Sequence, residues 1–298
     1  MNYLITGASG FIGTKLVDFL LAREEMVNYL ARKRSRALDS RAAFHYWNPE
    51  EQLELKTVPR LDAVIHLAGE PIAQRWTTEV KRSIYESRVK GTRELVSAIG
   101  ELKYKPSVLV SASAIGYYGD RGDEVLTETS APGAGFLPEV CVHWEEEARR
   151  ANEFGVRAVP IRIATVLGRG GGALDKMLTP FRLGLGGKFG NGRQWMSWIH
   201  VDDLVQLLVF ASETASATSA LNGSSPHPVT NAEFTTALAR ALHRPAILAM
   251  PRFALKLAMG EMADVLFSSA RVIPEGVERG GFRFRYPELD RALVNILG

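Results

Sequence analysis

The chain has one cysteine, Cys141, in 298 residues, so it forms no internal disulfide and is no small scaffold stapled by cystines. A lone thiol suits a reducing compartment, and the expected location is cytoplasmic. Long apolar runs are missing: none approaches the roughly 20 residues needed to span a bilayer. The first residues also lack the basic segment, apolar stretch and small-residue site of a secretory signal. Charge of one sign is scarce. The 36 basic and 33 acidic residues leave a formal net charge of +3, too small and too scattered an excess to imply nucleic acid. The six histidines make no i, i+4 pair of the kind that holds a metal. Neither nucleic acid, membrane nor metal is therefore expected as a partner. With 46% hydrophobic residues, a chain of this length buries a full core, and a soluble globular protein is expected.

What is present is alternation. Tyr3 to Ile5, Met26 to Ala31, Asp62 to Leu67, Ser107 to Ser111 and Val156 to Val166 read as strands. Phe11 to Leu21 reads as a helix, with Leu16, Val17, Leu20 and Leu21 at helical spacing, and Thr78 to Ile99 is long enough for a crossover helix. Strands alternating with helices predict an α/β fold with a doubly wound parallel sheet of Rossmann type. After Gly168 the texture changes. Glycines at 170 to 172 and at 184, 186, 187, 190 and 192 mark a mobile or tightly turning segment. A helix over Leu204 to Ala211 follows, with Asp202 or Asp203 as its cap. Prolines from Pro226 to Pro287 then divide shorter elements. Residues 1–167 are thus expected to form the dinucleotide domain, with the elements near 198–222 packed on it. Residues 168–298 are expected to be mainly a lid and a smaller C-terminal substrate lobe.

Gly7, Gly10 and Gly13 follow the first strand and open the first helix. Glycines permit this tight turn, and the backbone N–H groups of a helix start, here at Phe11 and Ile12, suit a pyrophosphate. A carboxylate after the second strand would favour NAD. Here that strand runs into Arg32, Lys33, Arg34 and Arg36, and the first carboxylate is Asp39. Cations at this point suit the extra ribose phosphate, so NADP is the expected cofactor.

The string Thr6 to Gly13 resembles the extended short-chain dehydrogenase/reductases, and so do Asp62 to Gly69 and Val110 to Ser113. More narrowly, the chain is similar to a poorly characterised epimerase branch of that superfamily, which carries a C-terminal domain of unknown function. The strings Ala68 to Ile72, Gly116 to Asp120, Pro180 to Gly187 and Trp198 to Asp203 carry this likeness. The resemblance implies Arg32 as the best single phosphate contact. It implies Leu67, Ala68 and Gly69 against the cofactor, and Arg88 reaching it from a helix. Val166 is implied on the nicotinamide side.

The usual chemistry of the superfamily needs a Tyr-x-x-x-Lys pair and a nearby hydroxyl. Ser113 matches the hydroxyl, with Ser111 as an alternative. The pair should follow about 25 residues later by analogy, but Phe136 to Glu145 contains neither tyrosine nor lysine. Tyr117 and Tyr118 are the candidate replacements, Glu139 another if buried, and Cys141 reads as structural. Glu145, Glu146 and Glu147 read as a solvated helix face, while His66 and His200 read as structural. Residues 182 to 200 combine glycines with Arg182, Lys188, Arg193, Trp195 and Trp198. Two readings stand: a lid closing on an anionic small-molecule substrate, or a rigid loop whose glycines only make turns. The expected function is an NADP-dependent oxidoreductase or epimerase, with an NADP(H)-sensing module as the alternative. A homodimer is the assembly considered.

Overall fold

The computed structural model describes residues 1–48, 51–56, 58–246 and 248–298. The chain opens with β1 (Asn2–Thr6), the glycine turn and α1 (Phe11–Ala22). Next come β2 (Met26–Ala31), β3 (Ala43–Tyr46), β4 (Ala63–His66), the long α2 (Thr78–Glu101) and β5 (Val108–Ala114). A short β6 (Val125–Leu126) leads to α3 (Phe136–Arg149), β7 (Arg157–Ile163) and β8 (Thr165–Leu167). The C-terminal part begins with α4 (Gly172–Arg182), β9 (Gly187–Phe189), β10 (Trp195–Met196) and β11 (Trp198–His200). It continues with α5 (Val201–Glu213), β12 (Leu221–Gly223), β13 (Val229–Thr230) and α6 (Asn231–Leu242). The last elements are β14 (Leu248–Met250), α7 (Arg252–Met259), α8 (Met262–Phe267), β15 (Arg271–Val272), α9 (Glu275–Arg279) and α10 (Leu289–Leu297).

Seven strands form one sheet in the order β12-β7-β5-β4-β1-β2-β3, and every neighbouring pair is parallel. Alternate side chains of each strand go to opposite faces. On one face Tyr3 and Ile5 meet Leu16 and Leu20 of α1 and Leu204 and Leu208 of α5. On the other, Leu4, Val64 and Leu109 meet Leu95 and Ile99 of α2. Burial on both faces explains why these strands read as continuous apolar runs. The sheet order reverses between β1 and β4, which leaves a crevice at the carboxyl ends of those strands. A separate core joins α4, α6 and α10 through Leu178, Phe181, Phe234, Leu238 and Leu293.

Three details differ from the sequence reading. The strand expected over 156–166 is broken: Ala164 N–H turns to the Gly223 carbonyl (2.9 Å), and β8 pairs with β11 outside the main sheet. The cap of α5 is His200, whose Nδ1 accepts from Asp202 N–H (3.1 Å). Asp203 is instead buried, accepting from the backbone N–H groups of Arg285 (2.8 Å) and Tyr286 (2.9 Å). Edge strand β3 went unread because its four residues are only half-buried or exposed.

His66 ties the ends of β1 and β4 to α2. Thr6 Oγ1 lies 2.6 Å from its Nδ1, and Thr92 Oγ1 lies 2.9 Å from its Nε2. Thr6 Oγ1 also accepts from Ala68 N–H (3.2 Å), which fixes the backbone where β4 enters the crevice. Burial, reinforced by the Arg88 charge, pushes the imidazole down from 6.5 to about 4. Below pH 6.5 the unfolded chain therefore takes up a proton that the folded chain refuses. Stability from neutral His66 is complete above that pH and falls as pH drops toward 4, by up to roughly 3 kcal/mol. Urea unfolding across this window should show the loss, and His66→Leu should remove that part of the slope. A slope unchanged by the substitution would place the titrating group elsewhere.

Candidate cofactor and active site

The turn after β1 is shaped by what cannot fit there. Gly7 has φ +71°, and a Cβ on it would lie 2.7 Å from the Leu67 carbonyl carbon. A Cβ on Gly13 would lie 2.2 Å from the Gly7 oxygen. Both positions therefore exclude any side chain. Gly10 donates its N–H to the Gly7 carbonyl (3.0 Å) and precedes α1 without a capping side chain. The first N–H groups of α1, at Phe11 and Ile12, thus stand without a side-chain cap beside exposed Ser9 and Gly10. Such a terminus carries partial positive charge.

Around this turn the structure assembles most of the residues singled out in the sequence. Leu67 and Ala68 are half-buried at the end of β4, and Gly69 is exposed. The Arg88 guanidinium carbon lies 3.2 Å from where a Gly69 Cβ would be. Arg88 is buried, stacks 5.2 Å from the Trp144 ring centroid, and donates to the Ile84 carbonyl (3.2 Å). Burial lowers its pKa from the ordinary arginine value, partly offset by Cys141 and Glu70. Arg32, Lys33, Arg34 and Arg36 are exposed beyond β2. Arg34 and Arg36 also line an open pocket of about 380 Å³ with Tyr29 and Leu38. Val166 lies half-buried in β8, its carbonyl 3.1 Å from where a Gly172 Cβ would be. The Phe11 ring fills the space that Cβ atoms on Gly168 (2.8 Å) and Gly171 (2.7 Å) would need. These glycines therefore close a turn onto the start of α1.

The candidate catalytic hydroxyls meet a buried ion pair. Arg162 of β7 grips Glu145 of α3 through Nε to Oε1 (2.8 Å) and Nη2 to Oε2 (3.0 Å). Glu145 also accepts from Ser113 Oγ (2.8 Å) and Arg149 Nη2 (2.6 Å). Arg162 Nη1 donates to the Tyr118 hydroxyl (3.0 Å) and the Glu128 carbonyl (3.1 Å). Tyr118 in turn donates to Asn222 Oδ1 (2.7 Å). Burial works against the Arg162 charge, but the Glu145 carboxylate outweighs it and raises the pKa. Burial pushes Tyr118 up to about 12, with Arg162 partly opposing. The hydroxyls of Ser113 and Tyr118 are thus both engaged in internal hydrogen bonds. Tyr117 is different. Its ring lies 3.5 Å over the Arg162 guanidinium and edge-on to Tyr118. It is half-buried, and its hydroxyl makes no hydrogen bond among the described residues.

Helix α3 corrects another expectation. It packs against α2 on one side and against β5 and β7 of the sheet on another, so Glu145 and Glu147 are buried and only Glu146 is exposed. Glu147 accepts from Arg93 (2.6 Å) and Arg150 (3.1 Å). Glu139, proposed as an acid if buried, is exposed. One face of the helix turns Leu137 Cβ and Cys141 Sγ toward Gly116, 3.4 and 3.9 Å from where its Cβ would be. Burial first, then the Glu145 charge, raises the Cys141 thiol to about 12, an unreactive state. Sequence spacing gave no sign of Arg162, which lies 49 residues beyond Ser113 and is brought to it only by the pairing of β5 with β7.

Residues 182–200 pair with neighbouring segments at three points. β9 pairs with β14, β10 with β13, and β11 with β8. Trp198 is fully buried with its Nε1 on the His227 carbonyl (3.1 Å), so it cannot stack on a substrate. Trp195 Nε1 donates to Asp123 (2.8 Å).

A parallel sheet with a glycine turn at its switch point defines a dinucleotide-binding α/β protein. The chain belongs to the NAD dependent epimerase/dehydratase family, whose model matches residues 3–222; a domain of unknown function, DUF1731, matches residues 250–296. It is 40% identical over 302 aligned positions to the chloroplastic epimerase family protein SDR39U1 homolog of Arabidopsis thaliana, covering 100% of this chain and 87% of that protein. Human epimerase family protein SDR39U1 (isoform 2), crystallised with NADPH, superposes with a TM-score of 0.90 at 34% identity, covering 100% and 99% of the two chains. A nucleoside-diphosphate sugar epimerase from Corynebacterium glutamicum superposes at 0.81 and 34% identity, with 100% of this chain and 58% of that one covered.

The ion pair gives a test. Removing one partner of a buried pair leaves the other charge uncompensated, typically costing about 3–5 kcal/mol. Glu145→Gln should lose about that much in denaturant unfolding, and Glu145→Leu with Arg162→Met should recover much of it. Destabilisation below about 1 kcal/mol for Glu145→Gln, the range of an exposed pair, would deny the pair its role.

Proposed function

We propose that this chain binds NADP(H) at the glycine turn and works as an oxidoreductase or epimerase on a small molecule, with Tyr117 as the proton-handling residue. The residues present fit the dinucleotide. Gly7 and Gly13 leave a cradle that any side chain would fill. The N–H groups of Phe11 and Ile12, following Gly10, would take the pyrophosphate. Arg32 and Lys33 would take the ribose phosphate. Leu67, Ala68, Gly69, Arg88 and Val166 would complete the pocket. The human relative crystallised with NADPH supports this choice, and the single buried thiol suits a cytoplasmic setting.

When bound, the cofactor supplies hydride exchange at its nicotinamide C4. The chain would supply orientation and a proton. One observation carries the assignment: of Ser113, Tyr117 and Tyr118, only Tyr117 keeps an uncommitted hydroxyl. Arg162, clamped by Glu145, fixes the phenol ring from beneath. Leu137 and Cys141 pack against that side of Gly116. The alternative, an NADP(H)-binding sensor without turnover, is favoured by the absence of a Tyr/Lys pair on α3.

Two measurements test the proposal. A charge-assisted bond to phosphate contributes roughly 1.5–3 kcal/mol, about tenfold or more in affinity. NADPH should therefore bind at least about tenfold tighter than NADH, and Arg32→Ala should remove most of the difference. Equal affinities in the unmutated chain would refute the cofactor choice. NADPH oxidation should then be screened against carbonyl compounds, sugar nucleotides included. Tyr117→Phe should lower turnover by roughly a hundredfold or more while NADPH affinity holds. Turnover that survives Tyr117→Phe would remove the residue from the mechanism, and no turnover with any compound would favour the sensor.

A further inference from the structure

The C-terminal part exposes several large apolar side chains. Leu257 (79%), Phe253 (76%), Leu183 (69%) and Leu185 (55%) are among the most exposed large apolar residues described, and Leu248 and Met250 join them. Pairing brings them together. β14 runs parallel to β9 with Leu248 opposite Gly187, two residues beyond Leu185. Pro251 then leads directly into α7, where Phe253 and Leu257 stand one turn apart. Arg244 Nε donates to the Arg182 carbonyl (3.2 Å), joining the two approaches.

Charge separates the possible occupants. Residues 172–196 and 240–267 carry eight Lys/Arg and three Asp/Glu, a net of +5, whereas the whole chain is +3 and the remainder therefore −2. The carboxylates are largely spent: Glu261 pairs with Lys81 (2.7 Å), and Asp264 pairs with Arg252 (2.6 Å) and Lys256 (3.5 Å). Arg182, Lys188 and Arg193 are exposed and make no ion pair among the described residues. Two copies meeting through this face would set +5 against +5, so symmetric self-association is opposed.

We propose that this face docks on an anionic lipid surface. Phe253 and Leu257 enter the boundary between headgroups and acyl chains, and Arg182 and Arg244 meet the lipid phosphates. No helix among the described residues is long and apolar enough to cross a membrane, and an interfacial contact needs none. This departs from the expectation of no membrane partner, which rested on the missing spanning run.

The test is co-sedimentation of the full chain with phosphatidylcholine vesicles, with and without about 30% phosphatidylglycerol, at about 0.1 M salt. Partition onto the anionic vesicles should be at least about tenfold stronger and should weaken as salt is raised. Phe253→Ser with Leu257→Ser should reduce it about tenfold, as should Arg182→Glu with Arg244→Glu, each with the thermal midpoint unchanged. Absent binding, equal binding to both vesicles, or binding that survives both double substitutions would overturn the proposal. So would a dimer in sedimentation velocity that Leu257→Ser disperses, since the face would then belong to a second copy.

Discussion

Much of the site depends on one buried ion pair, Arg162 with Glu145. Taking both charges out of water is costly, and their mutual attraction offsets that cost only when the remaining bonding capacity is filled. Here it is filled: Ser113 and Arg149 complete the carboxylate, and Tyr118 and the Glu128 carbonyl complete the guanidinium. The pair therefore recruits β5, β7, α3 and the turn at 115–118 into one rigid unit. Its consequence for chemistry is subtraction. Ser113 and Tyr118 are used in stabilising the charges, and Tyr117 lies against the guanidinium with its hydroxyl making no hydrogen bond among the described residues.

The same geometry shows how the missing Tyr-x-x-x-Lys pair is accommodated. The face of α3 that turns toward Gly116 carries Leu137 and Cys141, one helical turn apart and both apolar in character. A lysine here would need a counter-charge, and the nearest carboxylate, Glu145, is already paired. The cation at this end of the crevice comes from α2 instead: Arg88, laid over Trp144 against Gly69. A stacked, buried guanidinium is less mobile than a lysine, because its stem and plane are both fixed by packing.

The sheet was legible in the sequence wherever burial dictated composition. β1, β2, β4 and β5 are covered on both faces, so they had to be apolar, and the glycine turn had to be glycine because Gly7 and Gly13 have no room for a Cβ. Legibility failed where partners are distant in sequence. Glu145 and Glu147 look solvated in a run of three glutamates, yet α3 packs against both α2 and the sheet and only Glu146 points out. Asp203 looks like a helix cap, yet its carboxylate holds the backbone at 285 and 286. Helix periodicity gives the relative faces of such residues but not which face meets the sheet; that depends on where the next layer lies.

The glycines after β8 show how a local signal can be right in kind and misplaced in meaning. They do permit tight turning, but the space they leave is occupied by the Phe11 ring at the start of α1. The turn at 168–172 thereby rests on the dinucleotide-binding loop, and Arg169 continues the link to the C-terminus through the Ile296 carbonyl (3.0 Å) and the Gly298 carbonyl (2.9 Å). The C-terminal part is thus tied to the start of α1. A side chain at Gly171 would have to displace the Phe11 ring, and with it the first residue of α1. The constraint on these glycines is therefore steric, set by the Phe11 ring packed against them.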